Sequence, residues 1–138
     1  MAQFRNLGKD VLIHLPAGLS VMITGTFNGF SAQMFSVLLA DQNGNAGPGA
    51  SWEKIGEGNH TDLDTHTLPA AKVDRYLRLQ FRHKHDDQWQ DNAHLRVNHR
   101  EGTSDGFAVV TFESGDRNPE PHYENQRITL AFGPYPPN

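Results

Sequence analysis

Apolar residues recur at every second position through most of this 138-residue chain, and that period limits what the chain can fold into more than any other feature. Leu19–Phe27 carries Leu19, Val21, Ile23 and Phe27, and Met34–Leu39 carries Phe35, Val37 and Leu39. Leu77, Leu79 and Phe81 alternate with Arg78, Gln80 and Arg82. Ala93, Leu95 and Val97 alternate with His94, Arg96 and Asn98, and Ile128, Leu130 and Phe132 with Arg127, Thr129 and Ala131. Only an extended strand sends successive side chains to opposite faces, so each run reads as a strand with one buried and one solvated face. Phe107–Phe112 is apolar enough for a central strand, and Val11–His14 reads as a short edge strand.

Chain-reversal chemistry separates these runs: Asn28-Gly29, Asn43-Gly44, Gly47-Pro48-Gly49, Asp105-Gly106 and Gly115-Asp116. No segment sustains a 3.6-residue apolar period, so little helix is expected. Seven or so short strands joined by frequent turns predict an all-β fold: an antiparallel two-sheet β-sandwich of jelly-roll type, with a small closed barrel as the alternative. Residues 1–138 form one domain of ordinary size, and the proline-rich Pro134–Asn138 is a short C-terminal tail. Two connections are long: Ala40–Thr67, with a strand expected around Trp52–Ile55, and Gly115–Asn125.

Composition removes several function classes. The chain has no cysteine, which excludes disulfides, thiolate catalysis and cysteine zinc sites. Its net charge of −4 is no nucleic-acid footprint, and no apolar run is long enough for membrane insertion. The N-terminus lacks the basic-then-apolar pattern of a signal peptide, so a soluble cytoplasmic protein, or one exported without a classical signal, is expected. Asn59-His60-Thr61 forms a glycosylation sequon that this context leaves unused. Eight histidines would carry the charge from −4 to +4 if all were protonated, so the surface should respond to pH near 6.

The segment 78–100 holds the most informative polar residues. If the strands carrying Gln80/Arg82 and His94/Arg96/Asn98 paired as a hairpin, one sheet face would gather guanidinium, amide and imidazole groups, with Trp89 in the connection at its edge. Such fixed, planar groups read sugar hydroxyls, and an aromatic ring covers the apolar face of a pyranose. Trp89, or Trp52 from the long connection, supplies that ring. The predicted ligand-binding set is therefore Gln80, Arg82, Trp89, His94, Arg96, Asn98, Arg100 and Trp52, with a glycan as partner.

Gly18–Gly25 followed by Ala32–Leu39, then Tyr76–Arg82 and Leu95–Arg100, resemble the strands of galectins. Arg96-x-Asn98-x-Arg100 stands where that family carries His-x-Asn-x-Arg, with Arg96 in place of the histidine. His122–Arg127 is the segment nearest to its Trp-x-x-Glu-x-Arg motif and lacks the tryptophan. The resemblance implies a galectin-like sandwich lectin: non-catalytic, without a cofactor, galactoside-binding and homo-oligomeric. A weaker resemblance, to bacterial calcium-dependent galactose lectins, implies calcium ligands within Asp86–Asn92.

The alternative is a small metal-dependent enzyme. His83-Lys84-His85 places two imidazoles on one face of a strand, where both can hold one divalent metal ion. With His122 as a third nitrogen ligand and Asp87 or Glu113 as a carboxylate, the set resembles the metal site of cupins, which are small all-β jelly rolls.

Overall fold

The computed structural model describes residues 2–29, 31–47, 49–57, 60–102, 108–116 and 122–133. In chain order the strands are β1 (Gln3–Asn6), β2 (Val11–Leu15), β3 (Ser20–Phe27), β4 (Gln33–Ala40), β5 (Trp52–Gly56), β6 (Thr61–Leu68), β7 (Arg75–His85), β8 (Gln88–Asp91), β9 (His94–Glu101), β10 (Val109–Gly115) and β11 (Gln126–Gly133). They form the expected antiparallel two-sheet sandwich. One sheet runs β1-β2-β7-β4-β5 with β8 added to β7, and the other runs β6-β3-β11-β10-β9. Among the described residues there is no helix.

The period-two reading places most strands correctly because core burial follows it. Leu77, Leu79 and Phe81 of β7, and Ile128 and Leu130 of β11, are fully buried. The rings of Phe35 and Phe81 lie 5.3 Å apart within one sheet, and Phe81 meets Phe112 of the other sheet at 6.3 Å. Trp52–Ile55 does begin a strand. Val11–His14 is not an edge, because Gln3–Asn6 adds β1 outside it. The sequon at Asn59, Phe107 and the tail Pro134–Asn138 lie outside the described residues.

Two further expectations fail. His83–Asn92 is not a loop: β7 runs on to His85, turns through Asp86-Asp87, and returns as β8, with His85 opposite Gln88. Both turn residues have positive φ, 51° and 60°, the signature of a two-residue type I′ hairpin. The second failure is the pairing of the Gln80/Arg82 and His94/Arg96/Asn98 strands. β7 lies between β2 and β4 in one sheet, while β9 is the edge of the other and pairs with β10. The two polar runs therefore share no face. The hairpin that follows β7 uses β8 instead, and the chain crosses to the second sheet after it.

One end of the interior is polar. There Gln33, His83, Asn92, Ser114 and Gln126 are all buried. Asn92 Nδ2 donates to Ser114 Oγ at 2.9 Å, so its Oδ1 faces His83 Nδ1 at 2.8 Å and accepts from it. From the opposite sheet, Gln126 Nε2 donates to Gln33 Oε1, Met34 O and Arg82 O at 3.0–3.1 Å. Directional bonds thus tie the sheets together where the rest of the interface is apolar.

Candidate ligand-binding site

Most of the sequence-predicted site residues are committed elsewhere. Asp10, buried in the β1–β2 connection, accepts from Arg78 Nε at 2.7 Å and from Gln80 Nε2 at 3.3 Å through the same Oδ2. Arg82 pairs with Asp91 across the β7–β8 hairpin. Trp89 lies half-buried on β8 with the Lys84 ammonium 5.9 Å from its ring. Trp52 opens β5, the strand expected around Trp52–Ile55 within the long connection. One face of its indole stacks on His66 at 4.6 Å with the planes 2° apart, and Phe35 lies 6.1 Å away, edge-on.

On β9 the register breaks opposite Thr111/Phe112: Thr111 pairs with His99 and Phe112 with Val97, which leaves Asn98 as the extra residue of a bulge. Arg96 then stands opposite Glu113, while Arg100 stands opposite Val110, whose side chain is core. Arg96, Asn98 and Arg100 consequently do not present one face. Val97, expected in the core, is 39% exposed because β9 is a sheet edge.

His94 and Arg96 do come together with other functional groups, at the loop end of β9, β10 and β11. The Glu113 carboxylate is buried on the outer side of its sheet. Its Oε1 accepts from Arg96 Nε at 3.0 Å and its Oε2 pairs with Arg127 Nε at 2.8 Å. So held, the Arg96 guanidinium lies 4.1 Å from the centre of the Tyr123 ring, within cation–π range. His94 meets Tyr123 and His122 edge-on at 6.1 and 6.4 Å. His122 Nε2 bonds Asp116 Oδ1 at 2.9 Å, and its Nδ1 lies 3.7 Å from Glu124 Oε1.

Backbone anchors fix this corner. Asn125 Oδ1 accepts from Asp116 N–H, and Asn125 Nδ2 donates to Asn28 O, which ties the β10–β11 loop to the β3–β4 turn. Gly29, at φ 132°, lies so close to the Asn125 amide that a side chain there would collide with it. The corner thus offers a guanidinium fork, two imidazoles, two carboxylates and a phenol ring on a rigid frame. Tyr123, Asp116 and Glu124 escaped the sequence reading. Their signals were the length of the Gly115–Asn125 connection and, for Tyr123 and Glu124, their place in the His122–Arg127 segment set against the galectin motif.

The metal set is not assembled. His83 is buried between the sheets and bonded to Asn92, His85 faces Asp86 at 3.1 Å, and His122 belongs to the corner on the other sheet. Asp87 is spent on the hairpin turn, and Glu113 on its two arginines. Asp86–Asn92 is a hairpin rather than a cation loop, with Asp91 on Arg82 and Asn92 in the interior. Among the described residues no three histidine or acidic side chains converge on a point that could hold a metal ion.

No family model matches the chain, and no curated protein matches it in sequence. Its fold is similar to those of solved bacterial lectins. The C-terminal domain of the BC2L-C lectin from Burkholderia cenocepacia superposes with a TM-score of 0.64 at 14% identity, covering 99% of this chain and 100% of that one. The Chromobacterium violaceum lectin CV2L, solved in complex with α-methyl-fucoside, gives 0.58 at 16% identity over 97% of this chain and 100% of its own. The Ralstonia solanacearum high-affinity mannose-binding lectin gives 0.59 at 18% identity with the same coverage. What the chain shares with them is the sandwich fold.

Proposed function

We propose that the chain is a non-catalytic carbohydrate-binding module whose site is the corner formed by His94, Arg96, Asp116, His122, Tyr123 and Glu124. The observation that carries this reading is the Arg96–Tyr123 stack, fixed from beneath by buried Glu113. A guanidinium and imidazoles donate to sugar hydroxyls, carboxylates accept from them, and the phenol ring supplies apolar area. Because the sheet and Asn125 hold these groups before a ligand arrives, little ordering is required on binding. The fold's likeness to three lectins supports the same class. Of the residues predicted from sequence, this site keeps His94 and Arg96 of the sugar-binding set and His122 of the alternative metal set.

The galectin resemblance favours a galactoside, while two of the similar lectins are described with a fucoside and with mannose. A glycan array bearing β-galactosides, α-fucosides and α-mannosides tests the class and the choice together. Saturable binding is expected to fall at least tenfold in Tyr123→Ala and Arg96→Gln, with circular dichroism unchanged, and to persist in Asn98→Ala. An array without a hit refutes the reading.

A further inference from the structure

A second place on the molecule is built like a binding site, on the outer face of the six-stranded sheet and at the opposite end of β7. The β4–β5 connection folds back over that face and closes a cleft of about 430 Å³ against β1, β2 and β7. Its lining includes Gln3, Arg5, His14, Gln42, Asn43 and Tyr76. The floor is aromatic: the imidazole of His14 and the ring of Tyr76 stack 5.0 Å apart with their planes 13° from parallel.

The floor and the folded-back wall are each fixed by a carboxylate that stands outside the cleft. Asp74 Oδ2 bonds His14 Nε2 at 2.9 Å while its Oδ1 accepts from Ala17 N–H at 2.8 Å, which orients the ring stack. The Ala17 amide and the His14 ring hold the Asp74 carboxyl below its usual range. In the folded-back loop, Asp41 Oδ1 accepts from the N–H groups of Asn43 and Asn45. Arg78 Nη1 donates to Gly44 O at 2.8 Å, and Arg5 Nη2 to Gln42 O at 3.1 Å, strapping that loop onto the sheet. Gly44 makes the approach possible, with φ at 90° and no side chain to press on Leu7.

So arranged, the side-chain amides of Gln42 and Asn43 have no hydrogen-bond partner among the described residues. Arg5 is exposed, and its one bond among them goes to a neutral carbonyl rather than to an acid. Among the described residues the lining contains no carboxylate. A cleft with an aromatic floor, free amides and a permanent positive charge without an internal counter-ion fits a hydroxylated ring that carries its own carboxylate. We propose that this cleft is a second, independent site for an acidic saccharide: the ring lies on the Tyr76/His14 stack, the hydroxyls meet Gln42 and Asn43, and the carboxylate meets Arg5. A uronic acid and a terminal sialic acid share that chemistry.

The experiment is an amide-resolved NMR titration of the whole chain with methyl β-D-glucuronide, with 3′-sialyllactose and with neutral methyl β-D-glucoside. Saturable shifts are expected at Arg5, His14, Asn43 and Tyr76 with at least one acidic sugar, and the arm that binds identifies the source. The neutral glucoside should bind at least tenfold more weakly. Arg5→Gln should remove that tenfold preference, since it loses a charge-assisted bond, and Asn43→Ala should weaken the acidic sugar without restoring the neutral one. The same shifts should persist in Tyr123→Ala, where the corner site is disabled. The inference is overturned if neither acidic sugar shifts the cleft, if glucoside and glucuronide bind equally, or if the shifts vanish with Tyr123. Sugar binding confined to the Tyr123 corner would leave the first site standing without this one. Shifts confined to the cleft would do the reverse.

Discussion

At the scale of single residues, the groups that organise this protein are those whose partners come from far along the chain. Trp52 and His66 illustrate this: fourteen positions apart on β5 and β6, they form a parallel stack. Burial in that stack lowers the His66 pKa from its ordinary 6.5. The unfolded chain then binds more protons than the folded one just below that pH. The His66 contribution to stability is therefore complete above 6.5 and declines as the pH falls through the folded value. Thermal melts from pH 7.5 to 5.5 should show a steeper loss for the wild type than for His66→Phe, which keeps a flat ring against Trp52. Parallel slopes would refute the assignment. Neither partner was legible in this role. The sequence gives Trp52 as an aromatic in a long connection, and only a strand at 61–68 turns His66 towards it. Arg96 and His94 could be picked out by residue type, but Tyr123 could not, and Glu113 was legible only as a metal carboxylate rather than as the buried clamp of two arginines. Their importance depends on β9, β10 and β11 lying side by side.

At the scale of elements, the alternation of core and polar residues located the strands well where both faces are defined, as in β7 and β11. It failed where a strand is short, and at the β9 edge it found the strand but misjudged which side chains are buried. β1 has too few residues to show a period, and β9 exposes most of its side chains. The β7–β8 hairpin was missed because its turn is Asp86-Asp87 rather than Asn-Gly or Asp-Gly, so the usual signal is absent from the sequence. That choice has a cost. Both aspartates occupy the left-handed region, φ 51° and 60°, which glycine enters without a steric penalty. Asp87→Gly is expected to raise stability by about 0.5–1 kcal/mol, a few degrees in a thermal melt. An unchanged or lower midpoint would show that the Asp87 side chain contributes more than the turn strain removes.

At the scale of the whole molecule, the two-sheet architecture could be read from the sequence, but the assignment of strands to sheets could not. Sequential order suggested that β7 and the His94 strand were neighbours. The chain instead crosses between sheets after β8, and periodicity carries no information about such a crossing. The homo-oligomer implied by the galectin resemblance is an expectation at this scale, since clustered sites raise avidity for clustered sugars. Outside the Tyr123 corner, the two edge strands of the five-stranded sheet carry opposite charges, Arg100 on β9 and Asp62 on β6. Sedimentation should give a mass above that of one chain, decreasing as salt rises. A single-chain mass at every concentration and salt would refute it.

The polar end of the interior affects how the two layers can move. Apolar side chains resist separation but allow neighbouring surfaces to slip, because their attraction has little directional preference. Gln126 reaches from one layer to the carbonyls of Met34 and Arg82 in the other, so it acts as a pin. Shear between the layers must break the pin first, whereas prying them apart can begin at the greasy end. The sandwich is therefore a book bound along its polar edge, and the Tyr123 corner sits at the spine, where opening is smallest.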